Sequence, residues 1–294
     1  MTTQDHQHGP EVDDVTGVET TGHEWDGIKE LNKPLPKWWL YVFYATIVWS
    51  IGYWVLYPAW PLANDYTKGI LGYSQRDVVT KAVAANREAQ SKFRDAIASK
   101  ELAEIRSDPE LLRFAIAGGK AAFGENCAAC HGRGAQGFKG YPNLNDDDWI
   151  WGGTLLAIFQ TINYGIRASH DETRVSDMPK FGVDELLEPK QITDVASFVL
   201  SLSGKGDDAE AAARGKVIYE EQCAACHGDN GKGNQELGSP NLTDAIWLYG
   251  SSKDDVVESI HTGRGAMMPP WVGRLDEVTI KSLAIYVHSL GGGE

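Results

Sequence analysis

The longest apolar stretch of the chain runs from Trp38 to Tyr57 and contains 20 residues without a charge. As a helix it would be about 30 Å long, which matches the hydrocarbon core of a bilayer. Tryptophan and tyrosine residues lie at both ends, as they do at membrane interfaces. A cleaved signal peptide would be shorter and would end in small residues, unlike the Pro-Ala-Trp-Pro segment at 58–61. The pattern therefore predicts an uncleaved transmembrane helix.

The polar and apolar positions around this stretch predict the other elements. Residues 1–28 hold seven acidic residues and no lysine or arginine, a composition typical of disorder. Ser74 and Asp77 form a capping pattern that opens a helical run reaching about Arg106. The run 107–110, Ser-Asp-Pro-Glu, predicts the next helix start, and apolar spacing predicts closing helices at 192–202 and 278–290. No strand pattern stands out, so the predicted class is all-α.

One six-residue motif occurs twice, 96 positions apart, and uses all four cysteines of the chain. Both copies read Cys-Ala-Ala-Cys-His-Gly, at 127–132 and 223–228. Each is preceded by Gly-Lys-x-x-aromatic and followed by Pro-Asn-Leu, then Trp-x-aromatic-Gly, then Met-Pro. A repeat of this length indicates two homologous domains.

The repeated motif is the attachment signal for a c-type haem. On a helix, residues i, i+3 and i+4 share a face, so two thiols can form thioethers with the haem while the histidine binds the iron. The cysteines are Cys127, Cys130, Cys223 and Cys226, and the histidines are His131 and His227. A zinc site would draw four ligands from both pairs, and a thioredoxin-like pair would follow a strand. Both readings are disfavoured.

Two methionines complete the predicted sites, because a thioether opposite a histidine gives six-coordinate iron with a raised reduction potential. Met178 and Met268 each precede a proline at equivalent places in the two copies, whereas a core methionine would have no reason to repeat. Met267 is the neighbouring alternative. The spacing does not decide whether each methionine serves its own copy's iron or that of the other copy. His170 and His261 are alternative distal ligands and are interpreted as surface or haem-edge residues, and His288 is interpreted as a solvated or packing residue.

Charges suggest an orientation and a class of partner. Lys29, Lys33 and Lys37 precede the span, whereas the first basic residue after it is Lys68. Lysine and arginine mark the cytoplasmic side, so the N-terminus is predicted to be cytoplasmic and the haem domains periplasmic. Residues 58–294 hold 33 acidic and 24 basic residues, a surface that would steer a basic partner and that disfavours nucleic acid. Negative charge that only keeps the protein soluble is a nearly equal alternative.

The predicted fold class is all-α, with one N-terminal transmembrane helix and two tandem class I cytochrome c domains. The predicted segments are a disordered cytoplasmic tail (1–28), a juxtamembrane segment and transmembrane helix (29–61), a connector and packing helix (62–106), cytochrome c domain 1 (107–203), a linker (204–208) and cytochrome c domain 2 (209–294). Two covalently bound haem c groups are the expected cofactors.

Several segments together resemble a known family. The juxtamembrane run 23–31, His-Glu-Trp-Asp-Gly-Ile-Lys-Glu-Leu, the Pro-Leu-Pro-x-Trp-Trp run at 34–39, the exit at 57–62 and the two haem domains are similar to the dihaem subunit III, of CcoP or FixP type, of cbb3-type cytochrome c oxidase. The resemblance covers residues 22–290. Lys33 departs from the asparagine expected there, without a functional consequence.

The resemblance implies an electron-entry arm of a proton-pumping terminal oxidase in the bacterial inner membrane. Electrons from a cytochrome c or the bc1 complex would pass through both haems to a monohaem subunit and then to a haem-copper catalytic subunit. The chain itself would not reduce oxygen. Two alternatives stay open: a membrane-tethered dihaem shuttle without an oxidase, and a dihaem peroxidase-like enzyme with one displaceable iron ligand.

Overall fold

The computed structural model describes residues 10–206 and 208–292 of the chain. Within these residues the elements are β1 (Thr20–Trp25), β2 (Ile28–Leu31), α1 (Lys37–Leu56), α2 (Gln75–Ser99), α3 (Leu102–Ser107), α4 (Pro109–Asn126), α5 (Ala128–His131), α6 (Leu155–Tyr164), α7 (Pro189–Leu202), α8 (Ala209–Gln222), α9 (Ala224–His227), α10 (Lys253–Thr262) and α11 (Glu277–His288). The chain is mostly helical, as predicted. It divides into two units, Met1–Arg87 and Glu88–Glu294, and each is described by itself.

A short antiparallel hairpin, β1–β2, is the main departure from prediction in the first unit. Its turn is formed by Asp26 and Gly27, both with positive φ, at 51° and 85°, which matches the twist of paired strands. Trp25 and Ile28 flank the turn as a register pair. The prediction of disorder was therefore wrong for residues 20–28, because an Asp-Gly turn brings the two strands together. Residues 1–9 of the predicted tail lie outside the described part of the chain.

The predicted transmembrane segment is helix α1, displaced by one residue at each end. It begins after Pro36 and ends before Tyr57, whose backbone is extended. None of its side chains is buried in the unit, and its length and apolarity are sufficient to cross a membrane. The Ile70 amide donates to the Val55 carbonyl at 2.9 Å, so the following loop satisfies part of the helix C-terminus.

The second unit begins within α2, a helix that ends earlier than predicted. Instead of running to about Arg106, α2 ends at Ser99, and Glu101 starts α3 with a capping box. The predicted helix start at 107–110 is confirmed, since Asp108 caps α4 and accepts hydrogen bonds from two backbone amides.

The two copies of the repeat exchange their closing helices. One core joins α3, which precedes the repeat, and α4 and α6 of the first copy to α11 of the second, and buries Phe123, Ile158 and Leu283. The other joins α8 and α10 of the second copy to α7 of the first, and buries Tyr219 and Val195. We call the first assembly lobe 1 (α3–α6 with α11) and the second lobe 2 (α7–α10).

Glycine permits the close helix crossing in each lobe. A Cβ on Gly119 of α4 would collide with the carbonyl oxygen of Ser282 in α11, and one on Gly215 of α8 with that of Asp194 in α7. These are the glycines of the repeated Gly-Lys-x-x-aromatic pattern. The exchanged partners therefore cross at equivalent points.

The hydrophobic cores do not follow the predicted domain ranges, 107–203 and 209–294. Those ranges mark the sequence repeat and stay predictions as functional domains. Each lobe takes its closing helix from the other range, because α4 contacts α11 whereas α8 contacts α7. Neither range encloses a complete core.

Candidate haem sites

Each repeated motif forms a single helical turn that begins directly after its first cysteine. The helices α5 and α9 follow Cys127 and Cys223, and end at glycines with positive φ. Cys127 and Cys223 are half-buried, whereas Cys130 and Cys226 are exposed, and none of the four forms a disulfide. Before haem attachment, burial raises the pKa of the Cys127 and Cys223 thiols to about 11.

The two motif histidines are held in one orientation by a backbone acceptor. His131 Nδ1 lies 3.1 Å from the Pro142 carbonyl oxygen, and His227 Nδ1 lies 3.1 Å from that of Pro240. A carbonyl only accepts, so Nδ1 carries the proton and Nε2 keeps its lone pair for a metal. Burial lowers the pKa of both imidazoles, which favours the neutral, ligating form. The repeated Pro-Asn-Leu thus supplies the proline that orients each histidine.

The structure brings each predicted methionine into the lobe that contains the other copy's motif. Met268 lies against the lobe 1 core together with Cys127, and Met178 lies against the lobe 2 core together with Cys223. The exchange of helices therefore includes the methionines.

Paired backbone hydrogen bonds fix both methionines. Met268 and Ile166 bond each other's amide and carbonyl at 3.0 Å in both directions, and Met178 and Arg264 do so at 2.9 and 3.2 Å. Ile166 and Arg264 each follow a helix-ending glycine, Gly165 or Gly263. Those glycines have positive φ, and a Cβ on either would collide with the carbonyl of the methionine. Each of these positions therefore requires glycine for two reasons, the positive φ and the close approach of the methionine carbonyl.

The alternative ligands lie elsewhere. Met267 is 67% exposed. His170 accepts a hydrogen bond from the Glu172 amide at 3.0 Å and packs on Tyr164, while His261 is exposed and contacts Gly182. His288 Nε2 lies 3.4 Å from the Arg106 guanidinium. Unlike Met178 and Met268, Met267 packs against neither hydrophobic core of the described residues.

The polar surroundings also fit a bound group with acceptor atoms. Trp247 Nε1 is a buried donor without a hydrogen-bond partner among the described residues, and such groups are rare in folded proteins. In lobe 1 the equivalent Trp149 Nε1 donates to the Gly292 carbonyl. Each lobe thus combines paired thiols, a neutral histidine and a methionine, which are side chains of the kinds that hold haem c, and lobe 2 adds an unused N–H donor.

Sequence reasoning missed two arginines that the structure places in matching positions. Arg174 donates from Nε to Thr161 Oγ1 at 3.0 Å and lies over the Trp151 ring, 5.2 Å from its centroid. Arg264 donates from Nε to Ser259 Oγ at 3.1 Å and lies 4.1 Å from the centroid of the Tyr249 ring. The signal was available, because each arginine precedes the predicted methionine by four residues.

Family models cover three parts of the chain. Residues 17–64 match the N-terminal domain of cytochrome oxidase-cbb3, FixP. Residues 116–203 match cytochrome c, and residues 210–287 match cytochrome c oxidase, cbb3-type, subunit III. Cytochrome c models over both motif-bearing copies support two covalently bound haem c groups.

Relatives match over nearly the whole length. A cbb3-type cytochrome c oxidase subunit FixP of Bradyrhizobium sp. (strain ORS 278) is 56% identical, over 97% of this chain and 98% of its own. A subunit CcoP of Azospirillum brasilense is 54% identical, over 97% and 99%. A subunit CcoP of Cereibacter sphaeroides is 50% identical, over 94% and 95%. This chain therefore belongs to the FixP/CcoP family of cbb3-type cytochrome c oxidase subunits.

Proposed function

We propose that this chain is an electron-transfer subunit of a cbb3-type cytochrome c oxidase. The observation that carries the proposal is the pair of lobes, each of which joins an attachment motif to a methionine. The assignment to this oxidase rests on the names of the relatives, which are subunits of cbb3-type cytochrome c oxidases. When bound, haem c supplies a one-electron redox centre at each lobe.

Eight residues would hold these two groups. In lobe 1, Cys127 and Cys130 would anchor the haem, with His131 and Met268 as ligands to its iron. In lobe 2, Cys223 and Cys226 would anchor it, with His227 and Met178 as the ligands. The carbonyls of Pro142 and Pro240 keep the imidazoles oriented, and apolar cores exclude water, which favours the less charged ferrous state.

The chain itself carries electrons and does not reduce oxygen. Oxygen reduction would take place in a haem-copper catalytic subunit, reached through a monohaem cytochrome c subunit. A cytochrome c or the bc1 complex would be the donor. The acidic balance of residues 58–294 supports a basic donor, because opposite charges accelerate encounter.

Helix α1 would anchor the subunit with its N-terminus in the cytoplasm and both lobes in the periplasm. Lys29 and Lys33 precede α1 and Lys37 is its first residue, whereas no lysine or arginine follows it before Lys68. This asymmetry supports the orientation. Protease treatment of sealed right-side-out spheroplasts should then cleave the lobes and spare the N-terminal segment.

Purification from native membranes in mild detergent tests the oxidase assignment. We expect a haem b subunit and a monohaem c subunit to copurify, with carbon monoxide binding confined to haem b. Recovery of a lone dihaem protein would favour a tethered shuttle. Carbon monoxide binding by this chain would instead favour an enzyme with an open iron ligand.

Single methionine substitutions test the ligand pairing. Met178→Ala should lower the reduction potential of the haem attached to Cys223, and Met268→Ala that of the haem attached to Cys127, by part of the about 0.8 V that axial ligands span. Met267→Ala is the matched control and should change neither potential. Changes confined to the haem of the same copy would contradict the exchange.

A further inference from the structure

Arg174 and Arg264 are half-buried cations without a carboxylate partner among the described residues. Two other arginines of the second unit do have one, since Arg214 pairs with Asp194 and Arg94 with Asp276. Burial lowers the pKa of Arg174, as expected for a guanidinium that is desolvated without a neighbouring anion. A buried cation of this kind is costly unless something anionic completes its surroundings.

Each guanidinium is held in place, but some of its N–H donors have no acceptor among the described residues. The Thr161 and Ser259 hydroxyls occupy equivalent positions on α6 and α10 and each accept from an arginine Nε. Trp151 and Tyr249, also equivalent in the repeat, support the planar groups from one side. A guanidinium has five N–H donors in a planar fork, so donors remain for a further acceptor.

A second observation in lobe 2 points to the same kind of ligand. Trp247 Nε1 is buried without an acceptor, two residues before the Tyr249 ring that supports Arg264. An indole N–H and a guanidinium both donate, so a ligand that suits both of them would accept hydrogen bonds and carry negative charge. Carboxylates meet both requirements and match the arginine fork.

The backbone places each arginine beside the methionine of one lobe. Arg264 forms the paired hydrogen bonds with Met178, which lies in lobe 2. Arg174 is bridged to Ile166, and Ile166 is bridged to Met268 of lobe 1. The duplication keeps this relation although the first copy has eight extra residues between its glycine and its methionine.

We propose that Arg174 and Arg264 bind the propionate carboxylates of the haems in lobe 1 and lobe 2, respectively, and raise the two reduction potentials. This inference rests on the proposed function, which supplies the haems. The propionates are the only anionic substituents of the haem ring. A fixed cation near the ring disfavours the extra positive charge of ferric iron, so its removal lowers the potential.

The test uses the full-length chain in its purified complex. Arg264→Gln should lower the potential of the haem attached to Cys223 and leave the other unchanged, and Arg174→Gln should do the converse, as measured by spectropotentiometric titration. Arg274→Gln is the matched control, because Arg274 also lies near an aromatic ring, that of Trp271, but is exposed. It removes the same charge and should shift neither potential by a comparable amount.

Lysine variants separate charge from geometry. Arg174→Lys and Arg264→Lys keep the cation but lose the fork, so the potential should fall less than in the glutamine variants. The propionate bending bands in the resonance Raman spectrum should shift in both kinds of variant. If a glutamine variant loses its haem, the propionate bands of the lysine variant at the same site test whether the arginine contacts the propionate.

Potentials and propionate bands that match those of Arg274→Gln, with two haems attached, would overturn the inference and leave the proposed function intact. A wild-type chain without covalent haem would remove the proposed function instead. Haem content, measured by mass spectrometry, distinguishes the two failures.

Discussion

The two lobes repeat the same parts but stabilise their helix crossings differently. In lobe 2, Asp194 of α7 accepts two hydrogen bonds from Arg214 of α8, at 2.8 and 2.9 Å. At the equivalent positions lobe 1 has Ser282, which bonds the Val278 carbonyl of its own helix at 2.7 Å, and Gly118. Within the described part of the chain, only lobe 2 therefore has an ion pair across its helix crossing.

Lobe 1 is supported from outside the repeat. The buried side chains of Ile97, at the end of α2, and Ile105, in α3, extend its core. Lys281 of α11 donates to the carbonyls of Ile97, Ala98 and Lys100 at 2.9–3.3 Å. These carbonyls lie at the C-terminal end of α2, where the helix has no further backbone amide to donate to them. The duplicated lobes thus share a haem-site plan while their stability comes from different neighbours.

Removing the second copy should have the largest effect. A chain that ends after Gly206 keeps the first motif but lacks α11 and Met268, so lobe 1 cannot close. We expect no cooperative thermal unfolding of the first copy and no methionine-to-iron absorbance. A cooperative transition with that absorbance would mean that the first copy closes on its own α7.

The second largest effect is expected from methyl groups added at the two helix crossings. Gly119→Ala and Gly215→Ala each place a Cβ against a backbone carbonyl, and such overpacking costs about 1–3 kcal/mol of unfolding free energy. Each should affect the haem of its own lobe, as seen in thermal melts followed at the haem absorbance.

Gly118→Ala is the adjacent control. A Cβ there meets nothing within 4 Å, so the gain in helix propensity should stabilise by about 1 kcal/mol. Equal destabilisation by the substitutions at 118 and 119 would contradict the close crossing.

Acid should distinguish the lobes less strongly. Hydrogen bonds from Arg214 hold the pKa of Asp194 below its usual range, so its stabilising effect is present above the unfolded-state pKa and lost as pH falls through the folded one. We expect lobe 2 to lose stability below about pH 4, by about 1 kcal/mol because Arg214 is half exposed.

Asp194→Asn should remove this acid dependence. The variant starts less stable at neutral pH and changes little on acidification, whereas the lobe 1 transition keeps its wild-type pH profile. Unfolding followed separately at each haem would reveal the difference. The same acid response in wild type and variant would assign it to other carboxylates.

A similarly small effect is expected from the loss of one hydroxyl. Tyr219 donates to the Gly228 carbonyl at 2.8 Å, whereas lobe 1 has Phe123 at the equivalent place. Tyr219→Phe should cost about 1 kcal/mol of lobe 2 stability, measured by denaturant unfolding. Tyr286→Phe in lobe 1 is a control for loss of a tyrosine hydroxyl away from a motif.

The sequence patterns predicted the parts better than their assembly. Apolar spacing and the Asp108–Pro109 start located α1, α4, α7 and α11 within a few residues. The hairpin at Asp26–Gly27 could also have been found from its turn residues. The break at Ser99 was harder, because Glu101 is an unusual cap that works here through a capping box with Glu104.

The exchange of closing helices between the two copies could not be predicted from the sequence repeat. α7 and α11 have equivalent apolar faces, and α4 and α8 have equivalent glycines, so either pairing satisfies the same pattern. What differs is the crossing of backbone segments at Ile166 and Arg264, which depends on contacts far apart in sequence. The arginines were overlooked because a charged residue beside a loop methionine is ordinarily a solvated surface group.

The exchanged helices also set an order in which the lobes can be completed. A chain emerges from its N-terminus onward, and lobe 2 requires residues only as far as Arg264. Lobe 1 must wait for α11, the last described helix, although its motif is made first. The earlier pair of cysteines, Cys127 and Cys130, is therefore the later to be enclosed, which gives the machinery of thioether formation a longer interval of access to the first motif than to the second.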